Sequence, residues 1–428
     1  MGCKANLSDS QALESRLRSI GGEPSSQDAA DVFVLNTCTV TDQADKEART
    51  LVRKSKAKLT VAAGCMAEVS PDAFSGLNDS LLVARNSAKK DIAAAIEDWL
   101  AGTLAEQKTA LQGDRVAWHD QVDLVEGAAA QSSKTRAFLK VQDGCNAFCS
   151  YCIIPRARGR SRSLTPQEVL NEVNSFATSG FQEVVLTAIH AADYESEGLD
   201  FTGLVELVLK KSSIPRVRLT SLDPAEIPDR LIELMRKEPR LCSHIHVSLQ
   251  SANTEVLQAM KRGYNADLAA ERLQTIAQKL PHAFVGMDII AGFPGETEVQ
   301  FEDSFQRLKD LPWTRLHVFP FSLRQGTAAA KLVESGLAVP AAIIKERARR
   351  LRELSEEKMQ QALLRRVGFV AEVLVEEKNT EIQGRLCSQG HTRSYFKVVI
   401  PGKHAANQLL RVRLIGVANS ESLKGELV

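Results

Sequence analysis

No stretch of this 428-residue sequence approaches the about eighteen consecutive apolar residues that a membrane-spanning helix needs. The opening residues, MGCKANLSDSQ, carry no apolar leader run, so a cytoplasmic location with no membrane partner is expected. An excess of either charge is also missing: 54 Lys and Arg face 53 Asp and Glu, a formal +1. Without a global field, any contact with nucleic acid must come from local patches. Aromatic residues make up only 5%, while 44% of the chain is hydrophobic and 25% charged, the composition of a soluble globular protein. There is no internal repeat and no low-complexity tract. A chain this long suggests two or three domains. The eight cysteines are expected to be metal ligands or buried thiols rather than disulfides.

The patterning predicts an α/β multidomain protein. In residues 1–105, DVFVLNTC (31–38) and LTVAAGC (59–65) are apolar strands with polar ends. They flank the helical stretch 42–58, which implies a parallel sheet. Sites in such sheets form at the carboxyl ends of strands. Cys38 and Cys65 fall there, as does Cys3 if a strand precedes it. Residues 106–133 have no sustained period and read as a linker packed on a neighbouring domain. In residues 134–364 the runs AFLKVQ, EVVLTAIH, RVRLTSL, HIHVSLQ, GMDIIAGF and RLHVFPF alternate with helix-length intervals. That spacing predicts a partial (β/α)6 barrel, closed by a long charged helix over 341–366. From residue 365 onward, short β-rich runs predict a small five-stranded β-barrel. This last region holds ten Lys and Arg against six Glu and no Asp, a local basic excess.

GCNAFCSYC (144–152) follows the first barrel strand, at the end where barrel enzymes place their sites. Cys145, Cys149 and Cys152 are one ligand short of the four that zinc or an ordinary four-iron cluster takes. Three readings fit: three irons of a cluster with the fourth iron open, zinc completed by a distant His, or three core thiols. Glycine and polar neighbours weigh against core thiols. Cys3, Cys38 and Cys65, read alone, are more often core residues, but each has a Gly or polar neighbour at a strand end. Cys242 and Cys387 are read as structural, and His190 and His317 as structural or polar lining.

With Tyr151 directly before its third cysteine, this loop resembles the radical S-adenosylmethionine (SAM) superfamily. GCNAFCSYCIIPRARGRSRS (144–163) resembles the radical-SAM loop of the methylthiotransferase family. MGCKANLSDS (1–10), VLNTCTVT (34–41) and AAGCMAEVSP (62–71) are similar to that family's N-terminal domain. RLTSLDPAEI (218–227), HVSLQSANTEVLQAMKRGY (246–264), DIIAGFPGETEVQF (288–301) and LHVFPFSLRQGTAA (316–329) extend the likeness through the barrel. GHTRSYFKVVI (390–400) and the closing LKGELV look like a TRAM domain, the family's RNA-binding module.

The resemblance implies two [4Fe–4S] clusters, one on Cys145, Cys149 and Cys152 and an auxiliary one on Cys3, Cys38 and Cys65, each with an open iron. One SAM would methylate sulfur on the auxiliary cluster and a second would give the radical that opens a C–H bond. Gly292 and Gly295 in GFPGE would line the SAM adenine, with Gln250 near the ribose; a simple turn built by these glycines and Pro294 is the other reading. Arg158 and Arg160 in RARGRSRS (156–163), with Arg393 and Lys397 in the β-domain, are candidate RNA contacts. Tyr395 and Phe396 would stack a base or sit in the core, with core favoured for at least one. The face Lys46, Arg49, Arg53 and Lys56 is a further phosphate-binding candidate.

NTCTVT (36–41), CSYCIIP and ARGRSRS look most like the branch acting on tRNA that carries threonylcarbamoyladenosine 3′ of the anticodon. The alternatives are the isopentenyladenosine branch, the branch modifying an aspartate of a ribosomal protein, and, more remotely, a non-catalytic RNA-binding protein stabilised by metal. An electron donor such as flavodoxin or ferredoxin is implied, and the sulfur donor is unknown. The sequence also departs from the family pattern. No strand precedes Gly2-Cys3, Ala188 and Ala192 stand where glycines are common, QSAN (250–253) replaces QSGS, and Arg156 replaces a Tyr.

Overall fold

The computed structural model describes residues 3–103, 110–111, 135–382 and 384–428. The first domain begins with helix α1 (Lys4–Ser19) and holds a parallel sheet in the order β1 (Val32–Thr37), β2 (Leu59–Gly64), β3 (Leu81–Ala84), β4 (Ala110–Leu111). β4 lies inside the segment read as a linker, so part of that segment is sheet; its other residues and Met1-Gly2 lie outside the described residues. Every residue of β2 is buried, as its central place in the sheet requires. Helices α2 (Asp42–Lys54), α3 (Cys65–Val69) and α4 (Ile92–Leu100) complete the domain. Thr41 caps α2 by accepting from Ala44 N at 3.2 Å. α2 ends at Lys54, so Lys56 is not on its basic face as expected. Ala48 and Val52 turn inward and leave Lys46 and Arg53 exposed.

The second domain is the expected incomplete barrel. Its parallel strands are β5 (Ala137–Asp143), β7 (Glu183–Ala188), β10 (Arg216–Leu219), β11 (His244–Gln250), β12 (Phe284–Ala291) and β13 (Arg315–Pro320). Short β6 (Arg162–Ser163) runs antiparallel to β5, and β8 (Glu195–Ser196) pairs with β9 (Leu199–Asp200) outside the barrel. The strands form two sheets, β10-β7-β5-β6 and β11-β12-β13, linked by parallel bridges Val217–Leu241 and Leu222–Val247. α1 of the first domain lies against β5, where Ser8 Oγ donates to Phe138 O at 3.2 Å. Aliphatic side chains such as Val184, Leu186, Val217 and Leu219 pack outward under the helices. Alternate positions on the same strands, Glu183, Thr187, Arg216, Arg218 and Thr220, are buried and polar, so the barrel interior is charged rather than oily.

The third domain is a closed barrel of β14 (Val370–Ile382), β15 (Arg385–Thr392), β16 (Lys397–Pro401), β18 (Ser422–Leu427) and β17 (Leu409–Asn419). Helix Ala341–Leu364 feeds Ala348, Leu351 and Leu354 to the barrel core, and Met359 and Leu363 to the β-domain core. Among the described residues no helix is long and apolar enough to cross a membrane.

Two buried arginines fasten the β-domain below the barrel. Arg216 and Arg218 share Glu183, at 3.2 and 2.7 Å. Arg218 also donates to Arg393 O and Thr392 O at 3.0 and 3.3 Å, and Arg216 to His391 O at 3.4 Å. Carbonyls of one domain thus complete the hydrogen bonding of charges buried in another. Burial opposes the ionisation of Glu183, but Arg218, Arg216 and Arg136 outweigh it and draw its pKa from 4.5 to about 2. A pKa depressed in the folded state stabilises above the unfolded value, and that stability is lost as pH falls toward the folded value. Acid unfolding curves should therefore show stability draining between about pH 4.5 and 2, and Glu183→Gln should remove that component. Arg218→Met, which leaves Glu183 with Arg216 as its one remaining ion pair and uncovers the Thr392 and Arg393 carbonyls, should cost about 3 kcal/mol in urea unfolding, partly recovered by adding Glu183→Gln.

Candidate active site between two cysteine triads

Each early cysteine sits where one element gives way to the next. Cys3 caps α1, Cys38 follows β1, and Cys65 opens α3 directly after β2. Two polar clamps align these ends. Asn6 Nδ2 donates to Asn36 O at 3.1 Å, and Asn36 Nδ2 donates back to Asn6 O at 2.9 Å, tying the start of α1 to the end of β1. Thr37 Oγ1 donates to Ala63 O at 2.6 Å and accepts from Met66 N at 3.2 Å, tying β1 to the β2–α3 corner. Gly64 makes that corner possible. Its φ is +100°, and a Cβ there would lie 2.4 Å from Thr37 O. Cys38 and Cys65 are buried and Cys3 is exposed; all three thiols are free. Burial pushes the Cys38 thiol up to about 11, and the nearby Cys3 and Cys65 add to the rise.

The second triad lies on a loop pinned at several points. Gly144, at φ +74°, lets the chain pass Arg160 O, which a Cβ would meet at 1.9 Å. Cys145 N donates to Gly159 O at 3.2 Å and Cys152 N to Cys149 O at 3.0 Å. Ser150 is anchored on both sides, donating to Met260 O at 3.0 Å and accepting from Ala329 N at 2.7 Å. Burial raises Cys152 to about 12, with Cys149 and Cys145 contributing. Arg262 Nη1 donates to Cys149 Sγ at 3.1 Å. His190 sits beside Cys145, but its ring nitrogens face Asp193, Asp223 and Glu226 at 3.2, 3.4 and 2.8 Å. Cys145, His190 and Asp193 nonetheless bring one ligand atom each within 4.8 Å of one another, and so do His190, Asp223 and Glu226.

The donor sets fit iron–sulfur clusters. Burial holds the Cys38 and Cys152 thiols against ionisation as free acids, whereas a bound metal takes a thiol as thiolate. Cations already stand against both sets. Arg262 touches Cys149, and the charge of Arg158 acts on Cys65 and Cys3. These suit the net negative charge of a cluster held by thiolates.

Arg158 corrects an expectation. It was expected to meet RNA, yet it is 2% exposed. Its guanidinium contacts Asp9 Oδ2 at 2.9 Å and Asp143 Oδ1 at 3.1 Å. Lys140 bridges the same two carboxylates at 2.6 Å each, and Lys89 joins Asp9 at 2.9 Å. Asp9 and Lys89 belong to the first domain, and Lys140, Asp143 and Arg158 to the barrel. Despite burial, Asp9 and Asp143 are held well below the usual carboxylate range by these cations. Asn86 adds a neutral link: its Nδ2 donates to Ala157 O at 2.6 Å and reaches Cys65 Sγ at 3.9 Å. Sequence reasoning missed Asp9, Lys89, Lys140, Asp143 and Asn86. The one local signal was the spacing of Asn6 and Asp9, which share a face of α1.

A cavity of about 540 Å³ opens beside Cys3 and Cys38 and reaches Tyr151 of the second loop. Cys3 and Cys38 form one wall, and Tyr151 and Gln250 another; Asp288, Ile290 and Phe319 also line it. Gln250 holds a left-handed backbone, φ +67°, at this cavity, a strained conformation typical of functional sites. A second cavity, of about 580 Å³, lies on the other side of the loop against Cys149 and Cys152, with Glu68 and Arg85 opposite. Gly292 and Gly295 line neither cavity. A Cβ on Gly292 would lie 2.5 Å from Ile344 Cγ1, and Gly292 N donates to Glu296 Oε2 at 3.1 Å. That glycine serves a turn packed under a helix, which corrects its expected place beside SAM. Gly295 N likewise donates to Leu337 O at 2.8 Å.

Of the other expected RNA contacts, Arg160 is exposed with its guanidinium 5.8 Å from the Phe148 ring centroid, near the loop. Lys397 is half-buried on β16. Arg393 pairs with Glu372 at 2.9 Å and contacts Pro239 O, so it is occupied at the domain junction. Phe396 is core, at 2% exposure; Tyr395 packs against His244 and His391 with ring centroids 4.4 and 4.8 Å away, so neither is an open stacking platform.

Comparisons with known proteins accord with this geometry. Residues 139–308 match the Radical SAM superfamily, and residues 1–83 match a family described as Uncharacterized protein family UPF0004. The chain is 31% identical to the Threonylcarbamoyladenosine tRNA methylthiotransferase MtaB of Bacillus subtilis, covering 97% of this chain and 92% of that protein. It is 30% identical to the tRNA-2-methylthio-N(6)-dimethylallyladenosine synthase of the same organism, over 100% of this chain and 84% of that one. Among solved structures, the radical S-adenosylmethionine methyltransferase TsrM from Kitasatospora setae is similar in fold, with a TM-score of 0.51 at 14% identity, covering 72% of this chain and 64% of that one.

The placement of Arg158 has a measurable consequence. Arg158→Gln should keep RNA affinity and the salt dependence of binding unchanged while lowering the melting temperature. A phosphate contact would instead weaken RNA binding and reduce the salt slope by about 1.

Proposed function

The chain belongs to the radical-SAM methylthiotransferase family, and on that premise we propose that it inserts a methylthio group at C2 of threonylcarbamoyladenosine in tRNA, 3′ of the anticodon. The single observation that carries the reading is the cavity that Cys3 and Cys38 line on one side and Tyr151, from the loop of the other three cysteines, lines on another. Two [4Fe–4S] clusters and SAM are the cofactors. Cys145, Cys149 and Cys152 hold the radical-SAM cluster, and Cys3, Cys38 and Cys65 hold the auxiliary cluster. When bound, these groups supply a carbon radical chemistry and a methylthio sulfur that no acid–base side chain can provide.

The residues of the chain bind, align and shield. The clamps at Asn6–Asn36 and Thr37 fix the auxiliary thiols on rigid strand ends, and the pinned loop fixes the others. A site held this way keeps reacting atoms in register, which is the larger part of what a protein adds to such chemistry. Tyr151, Ile290 and Phe319 give the cavity apolar walls that admit a base and exclude water. Its volume suits a nucleobase with a substituent. Arg160 beside Phe148 and the exposed Lys46 and Arg53 of α2 offer phosphate contacts near the mouth. Electrons come from a low-potential carrier such as flavodoxin or ferredoxin, in the cytoplasm.

Anaerobically reconstituted protein should hold about eight irons per chain, and about four after Cys38→Ala or Cys149→Ala. Nucleosides from a deletion strain, read by mass spectrometry, should lose 2-methylthio-threonylcarbamoyladenosine and accumulate its unthiolated parent. Loss of the methylthio isopentenyl nucleoside instead would move the protein to the dimethylallyladenosine branch.

A further inference from the structure

The cavity beside Cys3 and Cys38 has two carboxylates on its wall, Glu47 and Asp288. Glu47 is exposed on α2, whereas Asp288 stands on β12, inside the barrel. Met287 and Ile289 of that strand pack into the core under the helices, so Asp288 and Ile290 turn to the inner face. On β13, Phe319 lies beside Ile290 and His317 beside Asp288. The wall therefore has two layers. Ile290 and Phe319 make an apolar one, and Asp288 begins a polar one a step further from the carboxyl ends of the strands.

His246 holds the Asp288 carboxylate in place. Its Nε2 lies 2.9 Å from Asp288 Oδ2. The other oxygen, Oδ1, has no hydrogen-bond partner among the described residues. Lys4 and His317 act on Asp288 only from beyond ion-pair distance. A carboxylate oxygen drawn partly out of water without a donor is costly. On a cavity wall it is a ready partner for a ligand N–H or O–H. An N6-substituted adenine lying against Ile290 and Phe319 carries acceptors at N1, N3 and N7 and a single N–H, at N6. A carboxylate only accepts, so N6 is the one position of the base that can pair with it. We propose that Asp288 is a specificity-determining residue that accepts a hydrogen bond from N6–H of the target adenosine, with His246 as the positioning residue that orients it. The inference rests on the reading of the substrate as an N6-substituted adenosine and holds for either substituent.

Binding to the iron-loaded full chain tests this without turnover. The probes are two pairs of anticodon stem-loop RNAs, with threonylcarbamoyladenosine or isopentenyladenosine at the target position, each with N6–H or with N6 methylated. Within the preferred pair, wild-type protein should bind the N–H member at least about tenfold more tightly, the scale of a hydrogen bond to a charged group. Shape alone could also refuse a methyl, and Asp288→Leu separates the two causes because it keeps the bulk and removes the acceptor. That variant should lower the affinity of the N–H member to that of the methylated one. Asp288→Asn, a neutral acceptor, should keep a ratio of about threefold, and it carries the test if the leucine variant loses its iron. His246→Leu should shrink the ratio, and His246→Gln, which still donates, should restore most of it. SAM affinity measured without RNA should be the same in Asp288→Leu and wild type, which separates the base from the ribose hydroxyls of SAM as the donor. Iron content and melting temperature report on fold and clusters. A wild-type ratio near one, a full ratio in Asp288→Leu or Asp288→Asn, or a loss confined to SAM binding overturns the role of Asp288 and leaves the substrate reading standing. A preference for the isopentenyl pair overturns the threonylcarbamoyl reading, and Asp288 is then judged on that pair. Failure to bind either pair overturns both.

Discussion

Five charges buried between two domains set the geometry on which everything else depends. Asp9 and Asp143 are each held by Arg158 and Lys140, and Lys89 completes Asp9. Three cations meet two carboxylates in a place where water cannot screen them, so the network tolerates little displacement. Asp9 lies two turns into the helix that Cys3 begins, and Arg158 lies six residues beyond Cys152. One network therefore positions the auxiliary triad and the radical-SAM loop relative to each other. Its excess positive charge also faces the sulfurs, since Arg158 acts on Cys3 and Cys65. A structural ion-pair network and the electrostatics of an anionic cluster site are here the same atoms.

A comparable division of labour appears at the other end of the barrel. Arg216 and Arg218 are spent on Glu183 and on carbonyls of the β-domain, so that domain is fixed to the barrel rather than tethered to it. Helix Ala341–Leu364 reinforces that junction by sharing its apolar face between the two cores. The barrel interior on the β-domain side is polar, at Glu183, Arg216 and Arg218, whereas the cavity above has apolar walls at Tyr151, Ile290 and Phe319.

Much of this was legible in the sequence. The six barrel strands announced themselves as apolar runs at helix-length intervals, and the closed β-domain as short strands separated by turns. The Cys145–Cys152 loop stood out by its spacing, whereas Cys3, Cys38 and Cys65, weak signals alone, were joined by their strand-end neighbours and by the family resemblance. The basic residues were misread where only tertiary structure decides their fate. RARGRSRS looks like one solvated arginine loop, yet Arg158 faces Asp9, 149 residues earlier in the chain, while Arg160 is exposed. No local pattern distinguishes them, because the partner carboxylate comes from another domain. Gly292 misled for a similar reason: glycine before a turn signals close approach, but the approaching group is Ile344 of a distant helix. Lys56 fell off its expected helix face because α2 stops at Lys54, a boundary that residue spacing alone does not fix.

The central claim is that the Asp9 network fixes the separation between the early cysteines and the Cys145–Cys152 loop. Pulsed electron spin resonance on protein with both clusters loaded and reduced measures that separation directly. A single narrow distance is expected in the wild-type protein, with a broadened distribution in Asp9→Asn. A broad distribution in the wild type, or one that Asp9→Asn leaves unchanged, would contradict it.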